Sequence, residues 1–152
     1  MSPVLVQTPR PLRADCRGDR STGGRLDLER FATKGYRLVK PITKSSAWLT
    51  DSEHFHGEWE GAAYGANICV IANHIEGPGG GPRLHRHPYA ETFVIRSGRG
   101  LFTVGDSTVE AGAGEILVVP AGTPHRFENL GPGPLDTIDI HENGSFITEW
   151  LE

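Results

Sequence analysis

Two histidines and a glutamate lie close together near the middle of the chain, at His85, His87 and Glu91. In an extended segment alternate side chains share one face, so the two imidazoles point the same way. Glu91 opens an apolar run, and a carboxylate at the start of a core-facing strand is costly to bury unless it is paired or bound to a cation. A metal ion bound to all three side chains would offset the free energy that burying them costs.

A third imidazole, His125, comes much later in the sequence but on a strand of the same predicted antiparallel set. Three imidazoles and one carboxylate form a mixed nitrogen and oxygen ligand set. Such a set suits one divalent transition metal (Fe, Mn, Zn, Ni, Co or Cu) and suits Ca or Mg poorly. The alternative is a group of hydrogen-bonded side chains without a metal, which is harder to satisfy in a protein interior.

Short β-branched and aromatic runs, separated by Gly and Pro, must position these residues. The chain has 20 Gly and 11 Pro, most of them between such runs, which is how an all-β protein spaces its turns. We predict strands over 36–39, 67–75, 91–96, 101–104, 108–111, 115–119, around His125, over 135–141 and over 146–151. The pattern indicates an all-β sandwich or barrel.

Two motifs, in order, resemble those of the cupin superfamily, and in particular of its small single-domain (type 2) members. They are Gly79-x5-His85-x-His87-x3-Glu91-x6-Gly98 and Gly114-x5-Pro120-x-Gly122-x2-His125-x3-Asn129. The resemblance covers about residues 65–141. It implies a cupin double-stranded β-helix, or jelly-roll barrel, with one metal held by His85, His87, Glu91 and His125.

A four-ligand metal leaves room for further ligands, and open metal sites are usually catalytic. We expect a small-molecule metalloenzyme of dioxygenase type, and the apolar side chains of Phe93, Ile95 and Phe127 suggest a small organic substrate. Two alternatives stay open. One is a metal-dependent isomerase, cyclase or lyase in which a redox-silent metal polarises a carbonyl; the other is a non-catalytic module that senses a ligand or a metal. One barrel hosts many chemistries, so the fold does not choose among them.

His141 is a candidate catalytic residue on the predicted strand over 135–141, where it alternates with Asp139. If their face is inward, His141 lies near the metal, as a proton shuttle or as a partner of a ligand. If Ile138 and Ile140 face inward, both polar side chains lie outside, since a two-residue period permits only one of these arrangements. Hydrophobicity favours inward isoleucines.

The chain divides into a basic arm over 1–34, interrupted by Pro and Gly, and one barrel domain over 35–152. Residues 1–44 carry a net charge of +6 and residues 45–152 one of −10. The arginines of the arm are scattered, so we expect no contact with nucleic acid. A homodimer is expected, because family barrels commonly pair and a strand over 36–39 would add to the partner's sheet.

No apolar stretch approaches the length of a membrane span or a signal peptide, so we expect a cytoplasmic protein with no membrane partner. Cys16 and Cys69 give neither a disulfide framework nor paired thiolates for zinc.

Overall fold

The computed structural model describes residues 43–152, which form one compact unit. The predicted arm over 1–34, the boundary after residue 34 and the predicted strand over 36–39 lie outside the described residues. Within the part of the chain that is described, no helix is both long enough and apolar enough to cross a membrane.

Strands make up nearly all of the regular structure of residues 43–152. In chain order they are β1 (Leu49–Asp51), β2 (His56–Glu60), β3 (Cys69–Ile75), β4 (His85–Arg86), β5 (Glu91–Ser97), β6 (Arg99–Val104), β7 (Ser107–Gly112), β8 (Ile116–Val119), β9 (His125–Asn129), β10 (Leu135–His141) and β11 (Glu149–Trp150). Two short 3-10 turns, Ser45–Ala47 and Ala62–Tyr64, are the helical elements of the same residues.

The strands form two antiparallel sheets. A six-stranded sheet has the order β1-β2-β3-β10-β5-β8, and a five-stranded sheet has the order β11-β4-β9-β6-β7. Strands distant in sequence lie side by side, as β10 does between β3 and β5, which is typical of a jelly roll. The all-β, jelly-roll prediction is therefore confirmed.

The core between the sheets is built around Phe93, Phe102 and Phe127, whose ring centroids lie 5.2 to 5.4 Å apart. Phe93 comes from the six-stranded sheet and the other two from the five-stranded sheet, so these rings join the two layers. Full burial of each side chain stabilises the fold by about 1.5–3 kcal/mol. The three apolar side chains expected to face a substrate, Phe93, Ile95 and Phe127, are all members of this core.

Strand β10 turns its polar face inward. Thr137, Asp139 and His141 are at most 2 % exposed, whereas Ile138 and Ile140 are half-buried on the opposite face. The expectation that the isoleucines face inward is therefore wrong. Because β10 lies inside its sheet, its outer face is partly covered as well, and Ile138 pairs there with the apolar residues Ala72 and Val94.

The predicted strands agree with the structure best between residues 69 and 141. β10 has the predicted bounds, and β5 is one residue longer than predicted. β1 and β2 were not predicted, because their sequences Leu-Thr-Asp and His-Gly-Glu-Trp-Glu lack a run of β-branched residues. The strand predicted over 146–151 is reduced to the two residues of β11.

Candidate metal centre

The three predicted histidine ligands come together on the five-stranded sheet. β4 pairs with β9 so that His85 lies directly opposite His125, and their ring centroids are 4.3 Å apart. His87 is two residues beyond His85 on the same face, with its ring 4.9 Å from that of His85 and 5.3 Å from that of His125. The extended backbone and one strand pairing thus suffice to cluster the three rings.

Glu91 reaches the cluster from the other sheet, as the first residue of β5. Its Oε2 lies 2.8 Å from Nε2 of His125 and 3.1 Å from Nε2 of His87. In the full set of His85, His87, Glu91 and His125, one potential ligand atom from each side chain lies within 4.8 Å of the others. All four side chains are buried, so the group bridges the two sheets inside the barrel.

Backbone carbonyls fix the proton position on each of the three rings. Nδ1 of His85 donates to the carbonyl of Arg83 at 2.7 Å, and Nδ1 of His125 donates to that of Thr123 at 2.9 Å. Nδ1 of His87 donates to the carbonyl of Ile147 at 2.8 Å. A carbonyl only accepts, so each Nδ1 carries the hydrogen and each neutral ring is left with a lone pair on Nε2. Partners of this kind orient the histidine ligands of metals.

The electrostatics of the group favour a cation. Burial would raise the pKa of Glu91, but its contacts with His125 and His87 outweigh burial and lower the pKa to about 2. Burial lowers the pKa of His85, so a second proton on that ring is disfavoured. An ionised carboxylate therefore lies beside a His85 ring whose charged form is disfavoured by burial. A divalent metal bound to the three Nε2 atoms and the carboxylate satisfies all four side chains, so the residues fit the group that the family implies.

His141 lies beside this group. It is the direct cross-strand neighbour of Glu91, and its Nε2 is 3.2 Å from Oε1 of that carboxylate. The His141 ring meets that of His87 edge to face at 4.7 Å. Burial lowers the pKa of His141 to about 4, so the ring is neutral near pH 7. His141 thus lies in contact with the candidate ligand Glu91, on the inward face of β10.

Asp139 continues the same inward face of β10 and was named in the sequence only as the neighbour that alternates with His141. Its Oδ2 accepts a hydrogen bond from Nδ2 of Asn73 at 2.5 Å. Burial, followed by the negative charge of Glu91, raises the pKa of Asp139 well above its usual value. The shift favours the protonated form of this carboxyl.

The segment over 146–152, named the strap here, covers the histidine side of the group. Its strand β11 pairs with β4, which places Trp150 opposite His85 with the ring centroids 5.1 Å apart. Ile147 accepts from His87 through its carbonyl, and its N–H donates to Oη of Tyr89 at 2.9 Å. The strap therefore contacts two of the four candidate ligands directly.

Sequence reasoning missed the strap because it acts partly through backbone atoms. The Ile147 carbonyl that holds His87 would be present whatever side chain stood at that position. Asp139 had a detectable signal, since it lies two residues before His141 and period two places both on one face. That signal was lost once hydrophobicity was used to choose the face of the strand.

Comparison with protein families gives a match to the cupin domain over residues 75–141. An uncharacterized protein of Methanocaldococcus jannaschii is 36 % identical over 102 residues, which cover 66 % of this chain and 77 % of that protein. The mannose-1-phosphate guanylyltransferase ManC of Salmonella typhimurium is 33 % identical over 73 residues, which cover 48 % of this chain and 15 % of the enzyme. The likeness to ManC thus concerns one small part of a much longer protein.

Among solved structures, oxalate decarboxylase of Bacillus subtilis is similar to this chain with a TM-score of 0.57 and 26 % sequence identity. The match covers 62 % of this chain and 27 % of the decarboxylase chain. That enzyme has Mn(II) centers. The match to the cupin domain, the two motifs, the jelly-roll topology and the buried His-His-Glu-His group agree, and the chain belongs to the cupin family.

Proposed function

We propose that this protein binds one divalent transition metal through His85, His87, Glu91 and His125 and uses it in an enzymatic reaction on a small organic molecule. One observation carries the proposal: three Nε2 lone pairs and one carboxylate converge in a buried space while every Nδ1 is held by a carbonyl. Fe, Mn, Zn, Ni, Co and Cu all suit this ligand set, and the Mn(II) centers of the similar decarboxylase support Mn.

We propose a dioxygenase-type reaction as the first candidate. The metal, when bound, would supply a redox-active centre at which the substrate and O2 meet. The protein residues would exclude water and hold the ligands in place, since all four ligand side chains are buried and the strap covers the histidines. A protein shell of this kind suits reactions in which water would compete with the substrate.

His141 would handle a proton in this reaction. Its ring is neutral near pH 7 and lies beside Glu91, so it can accept a proton from a substrate and return it later. Tyr89, stacked on His87 at a centroid distance of 5.3 Å, would help to hold that ring. Neither residue would need to move far, because both already contact the ligand group.

A second candidate is metal-dependent lyase chemistry, and the likeness to oxalate decarboxylase favours it specifically. In this case the metal would act as a Lewis acid on a carboxylate or carbonyl oxygen, and His141 would serve as the proton donor or acceptor. The same four ligands and the same buried site would serve both candidates. Only a measurement of the products and of O2 consumption therefore distinguishes them.

Oxygen uptake and CO2 release, measured on the same samples, distinguish the candidates. Protein loaded with Fe(II) or Mn(II) is screened with small organic acids, phenols and amino acids. Substrate-dependent O2 consumption that is lost in His85→Ala supports the dioxygenase, whereas CO2 release without net O2 consumption supports the lyase. His54→Ala, which changes an exposed histidine, is the matched control and should keep full activity. Metal binding without turnover on any of these compounds would contradict both enzymes and favour a sensing module.

We also propose that the protein is a homodimer. Strand β8 is at the edge of the six-stranded sheet and exposes 65 % of Ile116 and 54 % of Val118. An exposed edge with β-branched side chains is a ready place for a second copy to pair. Light scattering after size exclusion tests this, and a monomer at every concentration would refute it.

A further inference from the structure

Asp139 is a buried carboxyl with only part of its hydrogen-bonding capacity used. Its side chain is 2 % exposed, and Oδ2 accepts from Nδ2 of Asn73 at 2.5 Å. Oδ1 has no hydrogen-bond partner within residues 43–152. A buried polar atom without a partner destabilises the fold, so such atoms are rare unless a ligand or a water meets them.

His141, the next inward-facing residue of β10, also has buried polar atoms without a hydrogen-bond partner. Both ring nitrogens of His141 are buried, and neither has a hydrogen-bond partner of good geometry among the described residues. Asp139 and His141 share the inward face of β10, and His141 is paired across the sheet with Glu91. Two adjacent polar side chains with unused capacity therefore face the interior beside the candidate metal ligands.

The unused groups are hydrogen-bond donors. Burial without a cationic partner among the described residues raises the pKa of Asp139 and so favours its protonated form. Because Asn73 donates to Oδ2, Oδ1 is the oxygen left free to carry the proton and donate it to a further acceptor. An imidazole has at least one N–H in either protonation state, so His141 also offers a donor. Two donors on one inward face of β10 complement an oxygen acceptor.

We propose that Asp139 and His141, with Asn73 holding Asp139, form a subsite that binds a carboxylate or carbonyl oxygen of the substrate next to the metal. This inference rests on the proposed function and deepens it by naming the substrate class, a small organic acid or carbonyl compound. Asp139 is a binding residue of this subsite, and its hydroxyl donates to the substrate oxygen. Asn73 is a positioning residue, because it touches Asp139 and fixes which oxygen is free.

Oxalate binding to the Mn(II)-loaded protein tests the subsite. Oxalate affinity is measured by calorimetry, and free Mn(II) is followed by electron paramagnetic resonance in the same samples so that removal of the metal is not taken for binding. We expect Asp139→Leu to weaken oxalate binding at least tenfold, since it removes a donor to a charged oxygen. Asp139→Asn should stay within about threefold of the wild type, because its amide can accept from Asn73 and still donate to the ligand.

Thr108→Val is the control, since Thr108 is an exposed residue of β7, at the edge of the five-stranded sheet and away from Asp139. It should bind oxalate as the wild type does. Equal oxalate affinity in Asp139→Leu and wild type, with Mn(II) bound to both, would overturn the subsite and leave the metal proposal intact. A wild type that binds Mn(II) but no oxalate would also overturn the subsite alone. A wild type that binds no metal would overturn the proposed function and the subsite with it.

Discussion

Nε2 of His125 lies 2.8 Å from Oε2 of Glu91, while Nδ1 of the same ring donates to the carbonyl of Thr123. A neutral His125 therefore turns a lone pair toward an ionised carboxylate, which is repulsive in a buried site. A cation bound to both atoms would relieve the repulsion. The affinity of the group for a metal should therefore depend on the charge of Glu91.

Glu91→Gln should keep the shape of the side chain but remove its charge. We expect the affinity for a divalent metal to fall about 100-fold or more, because loss of a direct ligand charge exceeds the 10–100-fold cost of changing residues behind the ligands. Metal titration with a competing chromophoric chelator measures the change. Glu128→Gln, an exposed carboxylate on β9, is the control and should bind metal as the wild type does. Wild-type affinity in Glu91→Gln would remove Glu91 from the ligand set.

The strap is held by an exposed pair in which Arg86 donates to Glu149 through two nitrogens, at 2.8 and 2.9 Å. Glu149→Gln should leave the melting temperature almost unchanged, since exposed ion pairs contribute little. It should speed metal release several-fold, because the strap also carries the Ile147 carbonyl that orients His87. Stopped-flow mixing with excess chelator gives the release rate.

The control for this change is Glu110→Gln, which breaks another exposed pair, with Arg99, on the opposite edge of the same sheet. It should leave the release rate unaltered. Equal rates in Glu149→Gln and Glu110→Gln would show that the strap does not hold the metal.

Protonation of His141 should destabilise the folded, metal-free protein as the pH falls below about 6.5. Burial depresses the pKa of His141 from 6.5 to about 4, so between these values the unfolded chain binds the proton and the folded chain does not. This contribution to the free energy of unfolding is lost as the pH falls from 6.5 to 4 and amounts to at most about 3 kcal/mol.

Protonation of Glu91 also lowers the free energy of unfolding, but at lower pH. Its folded pKa of about 2 is below the usual 4.5, so its contribution is present above pH 4.5 and is lost as the pH falls toward 2. Denaturant unfolding of the metal-free protein at a series of pH values measures both. His141→Phe should remove the His141 contribution to the slope between pH 6.5 and 4, and a slope equal to that of the wild type there would contradict the depressed pKa.

Two motif glycines should differ in their tolerance of a side chain. Gly98 has a φ of +78°, and an added Cβ would lie 2.3 Å from the backbone carbonyl oxygen of Pro134. Gly114 has a φ of +89°, with open space where a Cβ would be. Gly114→Ala should lower the free energy of unfolding by about 1–2 kcal/mol, because alanine disfavours this backbone conformation. Gly98→Ala should cost clearly more, because the strand must also shift. Equal unfolding free energies for the two variants would contradict this close approach.

The metal group was predictable from the sequence because it depends on simple geometry. His85 and His87 share a face in any extended segment, and only one strand pairing is needed to bring His125 opposite. The inward face of β10 was not predictable from hydrophobicity, because both faces of this interior strand are covered and Ile138 is packed on the outer one. The roles of the Arg83 and Ile147 carbonyls could not be predicted from the sequence, because every residue type has a backbone carbonyl.

Metal content per chain tests most directly whether these four side chains bind a cation. Protein purified without a metal-chelating column is analysed for Fe, Mn, Zn, Ni, Co and Cu, before and after exposure to each metal, beside His85→Ala. The wild type should carry about one divalent transition metal per chain and His85→Ala almost none, with a lower melting temperature in the variant. A wild type that carries no stoichiometric metal and takes none up would contradict the metal centre.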